Sequence, residues 1–460
     1  MTTDVTLQAQ TLATRLADLP DAPRFDRADA FGAGVVQLWR LANGLRVALA
    51  PDPWAPTVAL HTWVPAGSAD EPAGRTGVAH LLEHLMFKGT KAHPAGAFDR
   101  MLEQGGAGAN AATWTDWTMY HEAVPPALLD EVIAMEADRF ASLKLSQVAF
   151  RSEHTVVRNE RREHVDNDPD GQIEEAVLDA LYGAHPYGHP VLGTDADLDK
   201  VTRDDALAFF GRHYAPSRLL VVLAGAVDVE GALRALHRHH GQLPAGSAAP
   251  AAVEPPLPQG PASRTVKLRA RAERLSIAWR TAAGAHPDQP ALAVLAEVLG
   301  NADSARLVRR LVHARPLASH VEVAAVAPRW TGMIEVRVVM QPGEQAAAAE
   351  REVDAVLAAL LGAEPPTAAE VDGARARLLA DHFRELATAD GRADAIGHAL
   401  ATFGGLGADS AFWRGVEAAT AADVQRVART WLVAERRIVV RGEIAPARAS
   451  RTRARGGARG

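Results

Sequence analysis

The feature of the sequence that most restricts the possible folds is a segment near its middle, GQLPAGSAAPAAVEPPLPQGPAS, residues 241–263. This segment is rich in Pro, Ala and Gly and has no apolar periodicity, so it predicts an interdomain linker. It divides the 460 residues nearly in half. By length the chain could form about three average domains or two large ones, and either arrangement can bury substantial hydrophobic cores.

The two halves end with the same pattern. In the first, Thr202 opens a helical stretch with the letters TRDD, which leads to the apolar run RLLVVLAG. In the second, Thr420 opens a stretch with the letters TAAD, which leads to RIVVRG. Each Thr is a predicted helix N-cap with an acidic residue three positions later, which is a reciprocal capping arrangement. The repetition indicates a duplicated domain.

Each half mixes apolar strands with long helical stretches and shows no regular strand and helix alternation. This pattern predicts the α+β class, with two homologous domains that each consist of a mostly antiparallel sheet packed with helices. The predicted divisions are an N-terminal extension at 1–34, a first domain at 35–240, the linker at 241–263, a second domain at 264–446 and a basic tail at 447–460. The tail is interpreted as a disordered solvated segment or as a docking arm for an acidic partner.

Composition excludes several kinds of function. The chain has no Cys, so a metal ion could be bound only by His, Asp or Glu. A formal charge of −7 argues against a nucleic-acid partner. No apolar run approaches the roughly 20 residues that cross a membrane. Since no signal-peptide pattern is visible at the start, we expect a cytoplasmic protein, or a periplasmic one if a signal was removed.

Metal-binding chemistry appears in the stretch GVAHLLEHLMFKG, residues 77–89. On a helix, His80 and His84 lie on one face one turn apart, so both imidazoles can reach one ion. Glu83 lies beside them, where its carboxylate could take a proton from a water molecule. The leucines and Met86 cover the other faces and would bury the helix. The spacing alone could arise by chance, so the interpretation requires a third ligand.

The letters HLLEH are the inverted zincin signature H-x-x-E-H. Together with the stretches GGAGANAATWTDWTMY, HPYGHPVLG and HYAPSRLLVVLAG, they resemble the pitrilysin or insulinase family of zinc peptidases, which includes the mitochondrial processing peptidase. The resemblance implies one Zn²⁺ per chain, a fold that is half of a clamshell, and a third ligand 76 residues after His84, which is Glu160. It also implies a supporting acid seven residues earlier, Glu153, for which an ordinary helix-surface acid is the alternative. Glu83 and Glu153 are therefore the predicted catalytic carboxylates.

The resemblance also implies where a substrate would bind. It implies that 108–118 is an edge strand, on which a peptide is added in extended form, with Asn110 and Ala111 as contacts to the peptide backbone. Without the family, these residues form an ordinary loop or the start of a strand. Phe87 either lines a side-chain pocket or packs in the core.

The second half lacks two groups that the family uses. Short members of the family act as pairs of chains, in which a partner supplies an Arg and a Tyr seven residues apart. Alignment places that pair on Val312 and Ser319, and all four tyrosines of the chain lie in the first half: Tyr120, Tyr182, Tyr187 and Tyr214. The resemblance thus implies a zinc endopeptidase for peptides or unfolded short proteins that acts as a heterodimer with a related, metal-free subunit. The alternatives are a non-catalytic scaffold subunit and a peptide-binding module with structural zinc.

Overall fold

Two β-sheets and the helices around them make up the computed structural model, which describes residues 2–247, 254, 256–258 and 260–445. The strands of the first half are β1 (Arg24–Phe31), β2 (Gly34–Arg40), β3 (Arg46–Pro51), β4 (Val58–Val64), β5 (Gly108–Thr113), β6 (Thr118–Val124) and β7 (Leu220–Gly225). Its helices are α1 (Thr2–Leu16), α2 (Val78–Met86), α3 (Ala97–Gln104), α4 (Leu129–Ser142), α5 (Gln147–Arg161), α6 (Pro169–Tyr182), α7 (Asp195–Leu198), α8 (Arg203–His213) and α9 (Val229–His239).

The second half has fewer strands and longer helices. Its strands are β8 (Ala262–Leu268), β9 (Arg274–Thr281), β10 (Ala318–Val326), β11 (Gly332–Met340) and β12 (Arg437–Ile444). Its helices are α10 (Gln289–Gly300), α11 (Arg306–Val308), α12 (Ala346–Leu361), α13 (Ala368–Leu386), α14 (Ala389–Thr402), α15 (Leu406–Ala418) and α16 (Ala421–Trp431).

Both sheets are mostly antiparallel. The first has the order β1-β2-β3-β7-β4-β6-β5 and the second the order β10-β11-β9-β12-β8. In each sheet a single pair is parallel, β3 with β7 and β12 with β8. The last strand of each half therefore returns parallel to one of that half's earlier strands. This confirms the predicted α+β class with two sheet domains.

The predicted helix caps are present. The hydroxyl of Thr202 accepts the N–H of Asp205, whose carboxylate accepts the N–H of Thr202 in return. Thr420 and Asp423 repeat the arrangement at α16. Each of these helices leads to the last strand of its half, which lies between two earlier strands of its sheet, so the sequence repetition corresponds to a repetition of structure.

Two predicted segments are placed differently from what the sequence indicated. The predicted extension at 1–34 contains α1 and β1, and β1 pairs with β2 along the edge of the first sheet. Strand β8 begins at Ala262, inside the predicted linker. Residues 248–253, 255 and 259 of that linker and the predicted tail at 447–460 lie outside the described residues, and the domain boundaries stay a prediction.

Helix α14 covers one face of the first sheet although it belongs to the second half of the chain. All seven side chains of β4 are buried, with Leu60 in the cluster that contains α2 and Trp63 in the cluster that contains α14. A Cβ atom on Gly397 would lie 1.9 Å from Nε1 of Trp63, so the absence of a side chain there lets the helix approach the sheet. The first sheet is thus the middle layer between helices of both halves.

A polar contact also joins the halves. Arg329, in the loop before β11, places its guanidinium 3.0 Å from Asp70 and 3.2 Å from Asp116. The hydroxyl of Tyr187 donates to the same Asp116 at 2.9 Å.

No helix among the described residues combines the length and apolar character that crossing a membrane requires.

Candidate metal centre

Helix α2, which carries the HLLEH residues, is fixed at its start by a buried carboxylate. Both oxygens of Glu71 accept backbone N–H groups, from Gly77 at 2.9 Å and from Ala79 at 2.7 Å. Gly77 has φ of 91°, and a Cβ there would lie 2.7 Å from a methyl carbon of Leu198, so glycine suits this turn. The apolar side chains of α2 are buried in the first core. The helix is therefore a rigid support for its polar residues.

The three predicted ligands lie together. Nε2 of His80 is 3.8 Å from Oε1 of Glu160, and Nε2 of His84 is 3.5 Å from Oε2 of the same carboxylate. One ligand atom from each of the three residues lies within 4.8 Å of the other two. Ligand atoms about 2.1 Å from a tetrahedral zinc ion are about 3.4 Å apart, so these residues surround a space of suitable size.

Glu153 contacts the ring nitrogen of His84 that faces away from Glu160. Its Oε2 is 3.6 Å from Nδ1 of His84, and its Oε1 is 3.0 Å from the ammonium of Lys88. The Glu153 side chain is only 5% exposed, so it is not a surface acid. Glu153 and Glu160, two helical turns apart on α5, therefore contact opposite nitrogens of one imidazole.

The electrostatics of the cluster suit a cation. Burial lowers the pKa of His80 to about 4, which keeps this imidazole neutral and able to bind a metal at neutral pH. Burial also acts to lower the pKa of His84, but the Glu160 carboxylate outweighs it and raises that pKa. The interaction with His84 lowers the pKa of Glu160 below its ordinary value. Glu160 is thus a charged acceptor facing a site that favours positive charge.

Glu83 faces the edge strand β5. Its Oε2 accepts the hydroxyl of Thr113 at 2.6 Å, and the residue is 9% exposed. Burial raises the pKa of Glu83, and the Thr113 hydroxyl partly offsets this by stabilising the carboxylate. The sequence analysis did not identify Thr113. Its signal would have been the period of two along β5, which places Ala111 and Thr113 on the same face.

Strand β5 is the end strand of the first sheet and pairs with β6 on one side. Among the described residues no strand pairs with its other side. This confirms the predicted edge strand for 108–113, whereas the predicted range also included the turn before β6. Ala111 packs against the core on the side of α2, while Asn110 is exposed and alternates to the opposite face. The small side chains leave the backbone of this edge accessible.

Phe87 was expected either to line a side-chain pocket or to pack in the core, and its surroundings in the structure include both a cavity and packed side chains. Its ring packs 6.2 Å from that of Tyr120, and the guanidinium of Arg139 lies 4.9 Å above it. It also lines a small cavity together with Phe98 and His93. Phe87 is therefore both a partly buried packing residue and part of a cavity wall.

The positions aligned with the missing Arg and Tyr carry no such groups. Val312 is half-buried in a π-helical turn, and Ser319 lies on β10, where its hydroxyl donates to the carbonyl of Val339. The nearby guanidiniums of Arg310 and Arg315 both bind the carboxylate of Glu352, at 2.5 and 2.6 Å. Those two arginines are therefore already ion-paired within the second half.

Comparisons with known proteins agree with this architecture. A sequence model of the family described as Insulinase (Peptidase family M16) matches residues 46–195, and one described as Peptidase M16 inactive domain matches residues 200–378. The zinc protease PqqE of Helicobacter pylori is 29% identical over 353 residues, which cover 75% of this chain and 79% of that protein. A probable mitochondrial-processing peptidase subunit beta of Schizosaccharomyces pombe is 31% identical over 278 residues, 58% of this chain and 59% of the relative.

A solved structure is similar over most of the chain. The crystal structure of a protease from Helicobacter pylori superposes with a TM-score of 0.84 at 27% identity, covering 89% of this chain and 99% of that one. The fold and these relatives support a metallopeptidase. The chain belongs to the insulinase family, peptidase family M16. Membership of this family supports a peptidase role.

Proposed function

We propose that this protein is a zinc-dependent endopeptidase that hydrolyses peptides or unfolded short proteins. The observation that carries the proposal is the convergence of His80, His84 and Glu160 within 4.8 Å of one another, with Glu83 on the same helix. Three protein ligands of this kind leave one coordination position open, as catalytic zinc sites do. Zinc bound by these residues would supply Lewis acidity and would lower the pKa of a water molecule.

The protein's own groups would handle the protons. Glu83 would take a proton from the attacking water and deliver it to the leaving amine. Its hydrogen bond with Thr113 fixes the carboxylate in a buried setting. Glu153 and Lys88 would hold the imidazole of His84 in orientation, since an outer hydrogen-bond acceptor commonly orients a ligating His. We assign Glu153 a positioning role.

The substrate would bind along β5. An extended peptide added to the open edge of this strand gains main-chain hydrogen bonds and runs past Thr113 toward Glu83. Asn110 and Ala111 are the proposed contacts to the peptide backbone, and Phe87 is the proposed wall of a side-chain pocket. A binding mode of this kind requires an extended segment, so unfolded chains would be better substrates than folded proteins.

We further propose that the active form is a heterodimer. The phenol of a Tyr and the guanidinium of an Arg can stabilise the oxyanion that develops on the substrate carbonyl, and the aligned positions Val312 and Ser319 of this chain carry neither a guanidinium nor a phenol. A relative is named as a subunit beta, which is consistent with an assembly of different chains. The partner would be a related, metal-free chain that supplies the Arg and the Tyr.

The test of the catalytic role is Glu83→Gln, assayed alone and together with a metal-free homologous chain of the same organism. We expect zinc content to be unchanged and turnover of a fluorogenic peptide library to fall about 100-fold or more, because a general base contributes this much. Glu103→Gln, at an exposed position on α3, is the matched control and should retain activity. A Glu83→Gln variant that cleaves at the wild-type rate would contradict the assignment. Purified protein without zinc would favour the scaffold alternative.

The heterodimer has its own test. The chain expressed alone should bind zinc but show little peptidase activity, and activity should appear when the partner is added. Full activity of the isolated chain would exclude the requirement for a second chain and leave the zinc site itself in place.

A further inference from the structure

A second cluster of metal-binding side chains lies on the other face of the first sheet. His61 on β4 and His121 on β6 are direct cross-strand partners. Asp390, in the first turn of α14, faces both of them, with its Oδ1 2.9 Å from Nε2 of His61 and 3.5 Å from Nδ1 of His121. One ligand atom from each residue lies within 4.8 Å of the other two. Among the described residues this cluster and the metal centre on α2 are the two groups with that geometry.

The cluster is separate from the metal centre. Along β4 the side chains alternate, so Leu60 faces the layer that contains α2, whereas His61 shares its face with Trp63 and contacts α14. Nothing in the proposed peptidase chemistry uses these residues. A ligand bound here would therefore not touch the reacting atoms.

Helix α14 presents more than one polar group to this face. Asp390, Asp394 and His398 follow each other at intervals of four residues, so they form one stripe along the helix. Asp394 is a half-buried carboxylate that interacts electrostatically with His61 and His121. His398 is the last of these three residues along α14, and the centre of its ring lies 6.4 Å from that of Trp63. A second carboxylate is thus available one turn from the first.

The three side chains of the cluster differ in their exposure to solvent, from a fully buried imidazole to a half-exposed carboxylate. The side chain of His61 is 1% exposed and that of His121 is 27% exposed, whereas that of Asp390 is 52% exposed. The imidazole of His61 thus lies at the buried side of the cluster, and the side of Asp390 is open to solvent, from which water could complete the coordination of an ion.

A hydrogen bond accounts for one contact of this arrangement, since Nε2 of His61 and Oδ1 of Asp390 are 2.9 Å apart. The second separation, from Nδ1 of His121 to the same oxygen, is 3.5 Å, at the outer limit of a hydrogen bond. It matches the separation of about 3.4 Å between two ligands of a tetrahedral zinc ion. Two imidazoles and a carboxylate are also a donor set that zinc and related divalent metals prefer.

We propose that His61, His121 and Asp390 form a second metal site for a divalent transition metal of the zinc type. The two imidazoles come from the first half of the chain and the carboxylate from the second. A bound ion would therefore hold α14 against the first sheet and tie the two halves together. The role is structural and is independent of the proposed peptidase activity.

The experiment measures zinc bound by the full chain after dialysis against Zn²⁺. The variant His80→Ala/His84→Ala removes the α2 centre and should retain one equivalent of zinc. Adding Asp390→Ala to this variant should remove that equivalent. Asp390 is at a half-exposed helix start, so its replacement should leave the fold intact, which circular dichroism checks. In the otherwise unchanged chain, Asp390→Ala alone should lower the zinc content from two equivalents to one.

His93→Ala is the matched control, because Nδ1 of His93 also lies 2.9 Å from an aspartate, Asp138, in a partly exposed pair. It should leave the zinc content unchanged. The Co²⁺-loaded His80→Ala/His84→Ala variant should show the visible absorption of a four-coordinate ion, and Asp390→Ala should abolish it. A His80→Ala/His84→Ala variant that binds no zinc would overturn the proposal. Zinc that persists after Asp390→Ala would overturn the assignment of its ligands.

Discussion

Replacing Glu71 tests whether the metal-binding helix depends on its buried cap. In Glu71→Ala, the backbone N–H groups of Gly77 and Ala79 lose their acceptors, which lie at 2.9 and 2.7 Å. A buried donor left without a partner costs about 1–3 kcal/mol, so the two together cost about 2–6 kcal/mol. The local opening of α2 should become about 30- to 20,000-fold more frequent, since about 1.4 kcal/mol corresponds to a factor of ten.

Hydrogen exchange followed by mass spectrometry on peptides that cover Val78–Met86 measures this effect directly. Glu71→Gln keeps one acceptor oxygen and should lose about half as much protection. Glu103→Ala, an exposed change on α3, should stay within about 0.5 kcal/mol of the wild type. Zinc affinity should fall together with protection in Glu71→Ala, because the helix carries two of the ligands. Unchanged exchange of these amides would refute the cap as the support of the site.

Three further perturbations test other contacts. Thr113→Val should lower kcat for peptide cleavage about 10- to 100-fold, because a hydrogen bond to a charged group contributes about 1.5–3 kcal/mol, and Thr113→Ser should restore it. Zinc content should not change, which separates positioning of Glu83 from loss of metal. The hydrogen bonds from Arg306 lower the pKa of Glu370 from 4.5 to about 2, so the stability that this carboxylate contributes is present above pH 4.5 and is lost as the pH falls toward 2. The difference in unfolding free energy between wild type and Glu370→Gln should therefore shrink over that interval, as urea titrations at several pH values would show. Arg329→Met should cost about 3–5 kcal/mol in urea unfolding because Asp70 and Asp116 lose the guanidinium that balances their charge, and no loss would contradict the contact between the halves.

The residues of α2 were predictable because their arrangement is local. An i and i+4 spacing fixes which side chains share a helix face, and the surrounding leucines indicate burial. Glu160 is different, since no local rule relates a residue to a position 76 places earlier. Only the family resemblance connected it to His84, and the structure places the two side chains together.

Other contacts had no signal in the sequence. Glu71 lies in a loop before α2, and its role depends on the path of that loop. Strand β1 lies within the predicted extension; its sequence RFDRADAF has charged residues on both faces, and most of its side chains are at least partly exposed. The position of α14 is a tertiary property, since an Ala-rich helix could cover either sheet. These features depend on long-range packing, which propensity and periodicity do not encode.

The placement of α14 also has a consequence for how the protein is made. Ribosomes release a chain from its amino end, so the strands of the first sheet emerge before residues 389–402. Until then the side chains that α14 later covers, including Ala59, Trp63 and Val222, face solvent on a nascent chain. The first sheet therefore gains the helix on this face only after α14 has been synthesised, and fragments that stop before α14 would leave this apolar face uncovered.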